Sequence, residues 1–263
     1  MPFAVNRGCR IAFDVVGEGP TVVLQGGLTS RKVDVERLGY VDVFADAYQV
    51  VNVDSLGHGD SDKPVDCTLY GAAQRADDIV AVLDEVGVAE AHVLGYSMGG
   101  WIASAMVLHR PERLAAVIIG GWNPGPAMPD REDGSTFEEL LAFGRREVPE
   151  QLSWITPDVE PAVRCCWDAV REVQDIEPAL VGFGRPVLLW NGVGDSSCAP
   201  AARLGVRYAN VGLLQSPGDH MSTWFNDDGT AKRALRQFVD TAVTAASPMA
   251  APSAGGAPCT EGS

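Results

Sequence analysis

The chain has 263 residues, 46% of them apolar, which is enough for one large α/β domain or two small ones with a full core. Its formal charge is −15 and its pI about 4.6, which argues against nucleic acid and anionic membrane as partners, because both select basic surface. No run of ~18 apolar residues offers a membrane span, and Met1 to Arg10 lack the apolar stretch of a secretion signal.

In chain order, Arg10 to Val16 alternates apolar and polar and ends in the turn Gly17-Glu18-Gly19-Pro20, which predicts an opening antiparallel hairpin with the next strand. Thr21-Val22-Val23-Leu24 reads as a short buried strand stopping at Gln25-Gly26-Gly27. Gln49 to Val53 reads as another, running into Asp54-Ser55-Leu56-Gly57-His58-Gly59-Asp60-Ser61. Tyr70 to Val86 carries a helical stripe, Ala73, Ala76, Ile79, Val80, Leu83 and Val86, stopped by Gly87. His92 to Leu94 is a strand, and a helix comes after it as far as Arg110-Pro111. Further strands are predicted at Leu114 to Ile119, at Pro186 to Trp190 and within Val206 to Leu214, with a last helix from Thr230 to Ala246.

Several of these strands are unbroken apolar runs, the pattern of strands buried on both faces. With helices between them they predict a mostly parallel sheet covered on two sides. Ligands of such sheets bind at the carboxyl ends of strands, which singles out the loops after Leu24, Val53, Gly95, Ile119, Trp190 and Leu214.

From Trp122 to about Leu180 the strand rhythm stops. Two amphipathic stretches, Phe137 to Val148 and Pro161 to Val173, lie among the prolines Pro124, Pro126, Pro129, Pro149, Pro157 and Pro161. The segment 122–180 is therefore expected to be a helical lid inserted in a core of 1–121 and 181–246. Trp122, Phe143, Trp154 and Trp167, with Leu28 from the loop after Leu24, are candidates to line an apolar substrate pocket; the alternative is that they are only the lid's own core. Residues 247–263, rich in Ala, Pro, Gly and Ser, are expected to be a disordered tail. The six cysteines, Cys9, Cys67, Cys165, Cys166, Cys198 and Cys259, show no C-x-x-C and no framework spacing. They read as reduced thiols in the cytoplasm.

Gly95-Tyr96-Ser97-Met98-Gly99-Gly100 is G-x-S-x-G between a strand and a helix. That placement holds a serine on a strained turn, and its glycines let the chain pass without a Cβ clash. The turn also aims the Met98 N–H where negative charge would develop on a reacting group. An activated serine needs a base and an orienting acid. Of four histidines, His92 lies at the wrong end of its strand, His109 ends a helix, and His58 sits in the Gly57-His58-Gly59 loop. His220 comes after the last strand and is the one suited to act as base. Asp195, after the strand ending at Trp190, lies between Ser97 and His220 in the order Ser…Asp…His and is the candidate acid. The competing role for Asp195 is a helix N-cap. Asp219 adjoins the histidine too closely to serve it, and Asp54, which precedes the serine, is the weaker alternative.

With these residues in place, the chain resembles the α/β-hydrolase superfamily from about Asn6 to Ala246. The likeness rests on the elbow around Ser97, Asp54…Gly57-His58-Gly59-Asp60-Ser61, Gly194-Asp195, Gly218-Asp219-His220 and Val22-Val23-Leu24-Gln25-Gly26-Gly27. It implies a central sheet of about eight strands flanked by helices, and a second oxyanion donor at Gly27. Gln25 stands where the family usually has His. The implied activity is that of the serine branch with a short lid: hydrolysis of a small to medium apolar carboxylic ester through an acyl-enzyme, with no metal or organic cofactor. A serine at the elbow speaks against the haloalkane dehalogenases and epoxide hydrolases of the fold, which use aspartate there. Carbon–carbon bond hydrolase, thioesterase, lactonase and perhydrolase chemistry remain alternatives on the same residues, as does a non-catalytic ligand receptor. Oligomeric state is open.

Overall fold

The computed structural model of the chain describes residues 1–125, 136–171 and 174–246. Pro126, Pro129, Val173 and the expected tail lie outside the described residues. Eight strands form one sheet: β1 (Phe3–Asn6), β2 (Cys9–Val16), β3 (Thr21–Gln25), β4 (Gln49–Val53), β5 (Ala91–Tyr96), β6 (Leu114–Gly120), β7 (Val187–Gly192) and β8 (Val211–Ser216). Their order is β1-β2-β4-β3-β5-β6-β7-β8. Every pairing from β4 through β8 is parallel, while β1–β2 and β2–β4 are antiparallel. The sheet is the one the apolar runs predict: β3, β5 and β7 are buried along their whole length.

Successive side chains on a strand face opposite ways, and the core divides accordingly. Val23, Val51, Val93, Val117 and Leu189 pack beneath α2 (Ala72–Val86) and α3 (Met98–His109). Val22, Leu24, Val50, Leu94, Ile118 and Leu188 pack on the other face against Tyr40, Phe44 and α10 (Thr230–Ala246). Gly87 ends α2 in the left-handed conformation at φ +80°, which glycine adopts without penalty.

Between β6 and β7 lie α4 (Phe137–Glu147), α5 (Pro149–Leu152), α6 (Glu160–Ala169) and α7 (Glu177–Phe183). Thr136 and Glu139 close a capping box on α4, which stabilises such a helix start by about 1 kcal/mol. Phe137, Leu141, Leu152, Ile155, Val163 and Trp167 form an apolar cluster of this insertion, and Leu28 packs against both it and the core beneath α2 and α3.

Two expectations are corrected. The opening hairpin pairs β2 with β1 across Arg7-Gly8, not with β3; β4 lies between β2 and β3. At four residues, β1 is too short to show a period. The cysteines are not all reduced: Cys67 and Cys165 form a disulfide across a sequence separation of 98 residues, while Cys9, Cys166 and Cys198 are buried free thiols. Packing of α6 against the turn before α2 makes this pair, so no local spacing announces it. The cytoplasmic expectation loses the support it drew from reduced thiols. Among the described residues no helix is long and apolar enough to cross a membrane.

Candidate active site

The register of the parallel strands sets the site. Gln25 pairs with Gly95, Tyr96 with Gly120, Gly120 with Trp190, and Gly192 with Ser216. Strands β3, β5, β6, β7 and β8 thus end at nearly one level. The loops carrying Gly27, Ser97, Gly121, Asp195 and His220 leave the sheet along one edge.

Ser97 has φ +58° and ψ −116°, a conformation a non-glycine residue holds only under constraint. Its N–H donates to the Gly120 carbonyl at 2.8 Å, and its own carbonyl accepts from Trp101 at 2.9 Å. A Cβ at Gly95 would overlap the Gly99 carbonyl, and one at Gly99 would overlap the Gln25 carbonyl. Both positions demand glycine because backbone passes where a side chain would be. The side chain of Ser97 also abuts Gly27: a Cβ placed there would lie 3.2 Å from the Ser97 Cβ. Among the described residues, no hydrogen bond takes up the N–H of Gly27 or of Met98.

His220 begins α9 (His220–Phe225), and its Nε2 lies 3.0 Å from the Ser97 Oγ. Its Nδ1 lies 2.7 Å from the Asp195 Oδ2. The imidazole is partly open to solvent, at 37% side-chain exposure, while the Asp195 side chain is 5% exposed. Burial works to raise the Asp195 carboxyl pKa. The hydrogen bond and charge of His220, and the bonds from Ser197, outweigh it, and the net shift is downward. An ionised Asp195 accepts from Nδ1–H, so Nε2 presents its lone pair to the serine hydroxyl. In this arrangement the imidazole can accept the Ser97 proton.

The loops are fastened to one another. Val193 N–H donates to the Ser216 carbonyl and Gly194 N–H to that of Gly218, both at 2.9 Å, which docks the Asp195 loop onto the His220 loop. Ser197 caps the second Asp195 oxygen through its N–H (2.9 Å) and hydroxyl (2.6 Å), and the Asn191 side chain in turn holds that hydroxyl at 2.6 Å. Ser197, not Asp195, is the N-cap of α8 (Cys198–Arg207). Asp219 caps α9 through the Ser222 N–H.

Sequence reasoning missed Tyr96, whose hydroxyl donates to the His220 carbonyl at 2.6 Å. Its ring stacks on Trp224 at 4.8 Å, and Trp224 stacks on Tyr40 at 4.1 Å. It missed Gly121 as well, at φ +56°, where a Cβ would crowd the His220 ring at 3.0 Å. The middle letter of G-x-S-x-G and one glycine among 29 carry no distinguishing mark in a single sequence.

The other expected residues lie around this edge or within the core. Asp54 is 1% exposed; its carboxylate accepts from the N–H groups of Lys32 and Asp60 and faces the Lys32 ammonium at 3.7 Å, so it has a structural role distant from His220. Gln25 donates to the Ser55 hydroxyl at 2.6 Å, tying the ends of β3 and β4 together. His92 is buried beside Tyr48, and His109 closes α3. His58 is fully buried; burial first, then the charge of Arg75, hold its pKa down to about 3, so it is neutral. Trp122 is buried in the core beneath α2 and α3, and Trp167 in the insertion's own cluster. Phe143 corrects the expected lining: it is 45% exposed with Arg146 over its ring, because it occupies the solvent side of α4. Trp154 is half-buried, packs on His58 at 5.3 Å between ring centres, and donates its Nε1–H to the Thr29 carbonyl at 3.1 Å. Among the described residues no cluster of three or more His, Cys, Asp or Glu is arranged to hold a metal ion.

Residues 20–154 match the model of the alpha/beta hydrolase fold family. The chain is 30% identical over 199 residues to 3-oxoadipate enol-lactonase 2 of Acinetobacter baylyi, an alignment covering 67% of this chain and 72% of that one. It is 44% identical over 89 residues to the 2-hydroxy-6-oxononadienedioate/2-hydroxy-6-oxononatrienedioate hydrolase of Burkholderia vietnamiensis, covering 33% and 31% of the two chains. Several curated relatives are matched over 31% to 53% of their length. The solved meta-cleavage product hydrolase of Pseudomonas fluorescens IP01 superposes with a TM-score of 0.77 at 19% identity, covering 92% of this chain and 98% of that one. Sheet order, the elbow at Ser97 and the family match agree: this chain belongs to the α/β-hydrolase fold family.

Proposed function

We propose that the chain is a serine hydrolase that cleaves small to medium apolar carboxylic esters through an acyl-enzyme. The observation that carries this reading is the unbroken line Asp195–His220–Ser97, with hydrogen bonds of 2.7 and 3.0 Å. Asp195 fixes the tautomer and steadies the imidazolium; His220 takes the proton as Ser97 Oγ attacks the carbonyl carbon. Base catalysis of this kind contributes about 10²–10⁴-fold. The N–H groups of Gly27 and Met98 receive the oxyanion, and the loss of one such donor costs about 10²–10³ in rate. Collapse of the tetrahedral intermediate expels the alkoxide, which His220 protonates. Water, deprotonated by the same imidazole, then cleaves the acyl-enzyme and restores Ser97.

The insertion between β6 and β7 serves as the lid, with Trp154 bonded to the Thr29 carbonyl and Leu28 of the same loop packed against the insertion's apolar cluster. The similarity to an enol-lactonase supports an ester bond as the target. The 44% identity over 89 residues to a hydrolase of an oxo-dienedioate favours a second reading, hydrolysis of a carbon–carbon bond next to a ketone, on the same three residues.

A panel of p-nitrophenyl acetate and butyrate, a lactone, a thioester and a vinylogous diketone acid separates these readings. The ester should turn over fastest, and Ser97→Ala should lower its turnover by at least about 10³-fold with an unchanged circular dichroism spectrum. Undiminished turnover in Ser97→Ala would refute the proposal.

A further inference from the structure

Thr29 lies two residues beyond Gly27 and has φ +76°. Among the described non-glycine residues only Arg7, Thr29 and Ser97 have positive φ, and two of the three border the same site. A β-branched side chain disfavours that conformation, so something outside the loop holds it.

Two groups do. The Thr29 N–H donates to the His58 Nε2 at 3.1 Å. An amide can only donate, so the His58 proton resides on Nδ1, which points to the Leu56 carbonyl at 3.4 Å. The Thr29 carbonyl accepts the indole N–H of Trp154, from the segment joining α5 and α6 in the insertion. The Gly27 carbonyl accepts from Ser30 N–H at 3.0 Å, so Thr29 sits inside the turn that Gly27 opens. The His58 and Trp154 rings pack on each other, and Gln151 of α5 reaches the Ser30 hydroxyl at 3.4 Å.

We propose that Thr29 is the joint through which His58 and Trp154 hold the Gly27 N–H against Ser97, so that one positioning residue from the core and one from the insertion together set the oxyanion donor. The inference rests on the serine-hydrolase reading above. Because burial keeps His58 neutral, its Nε2 stays an acceptor at ordinary pH. The insertion then governs transition-state stabilisation through a backbone hydrogen bond, independently of any contact it makes with substrate.

Trp154→Phe removes the indole N–H and keeps an aromatic ring on His58. The expected result is about a tenfold lower kcat for p-nitrophenyl butyrate, with KM within about twofold of the parent. Affinity for phenylboronic acid, whose tetrahedral adduct on serine places an oxygen in the oxyanion position, should fall by a similar factor. His58→Gln should keep most of the rate, since its Oε1 reaches the place of Nε2 and accepts from Thr29. His58→Asn, which is too short, should lose it. Unchanged kcat and boronate affinity in Trp154→Phe, or a rise in KM alone, overturns the joint while the parent's own turnover and fluorophosphonate labelling at Ser97 keep the hydrolase reading standing. A parent that neither hydrolyses nor labels refutes both. Should a His58 variant not fold, Trp154→Phe decides alone.

Discussion

At Ser97 the backbone stores strain and the side chain gains reach. A residue with φ +58° costs about 1–3 kcal/mol, which the surrounding strand, helix and loop contacts must offset. In the proposed mechanism the hydroxyl is made reactive by the carboxylate behind the imidazole. Asp195→Asn keeps the size and the Ser197 contacts but can present its amide N–H to Nδ1. That stabilises the tautomer with its proton on Nε2, facing the serine. A fall of about 10³–10⁴ in kcat with little change in KM is expected, measured with p-nitrophenyl butyrate. Loss of less than about tenfold would show that Asp195 does not orient His220. The meeting of Ser97, Asp195 and His220 was legible because each follows a strand end in a fixed order. The contacts of Tyr96, Thr29 and His58 were not, because they run through the carbonyl of His220, a left-handed peptide and a buried ring nitrogen, none of which has a sequence signature.

At the scale of elements, the site depends on how closely β5, α3 and β3 approach. Gly99 touches the Gln25 carbonyl at the end of β3, so a methyl there pushes the elbow away from the loop bearing Gly27. Gly99→Ala is expected to cost about 3 kcal/mol or more in urea unfolding, with activity lost in whatever folds. A midpoint within experimental error of the parent would contradict this packing. The long elements were legible: α2 and α10 have enough turns to show a period, and β3, β5, β6 and β7 carry apolar runs, whereas α3, buried on every face from Met98 to Val107, is bounded by the elbow before it and Arg110-Pro111 after it. The helices α1 (Lys32–Arg37), α5, α7 and α9 span four to seven residues, too few for periodicity to appear. The opening hairpin was misplaced because the antiparallel edge is built by β4, which arrives from a distant part of the chain.

At the scale of the whole molecule, the disulfide joins the insertion covalently to the core: Cys165 is in α6, and Cys67 precedes α2. A crosslink closing a loop of about 100 residues restricts the unfolded chain by about 4–5 kcal/mol in the chain-entropy view. Dithiothreitol should therefore lower the melting temperature on the order of 10 °C, and Cys165→Ser should already melt at the lower temperature and ignore the reductant. Equal melting with and without reductant would contradict it. The family, the sheet and the site edge were all legible at this scale from the motifs in order; the disulfide, a product of tertiary packing alone, was not. The central claim is that His220 makes Ser97 a nucleophile. The most direct test is intact-protein and peptide mass spectrometry after brief exposure to a fluorophosphonate. The expected result is one adduct, on Ser97, formed rapidly in the parent and slowed by at least about 10³-fold in His220→Ala. Labelling elsewhere, or an equal rate in His220→Ala, would contradict it.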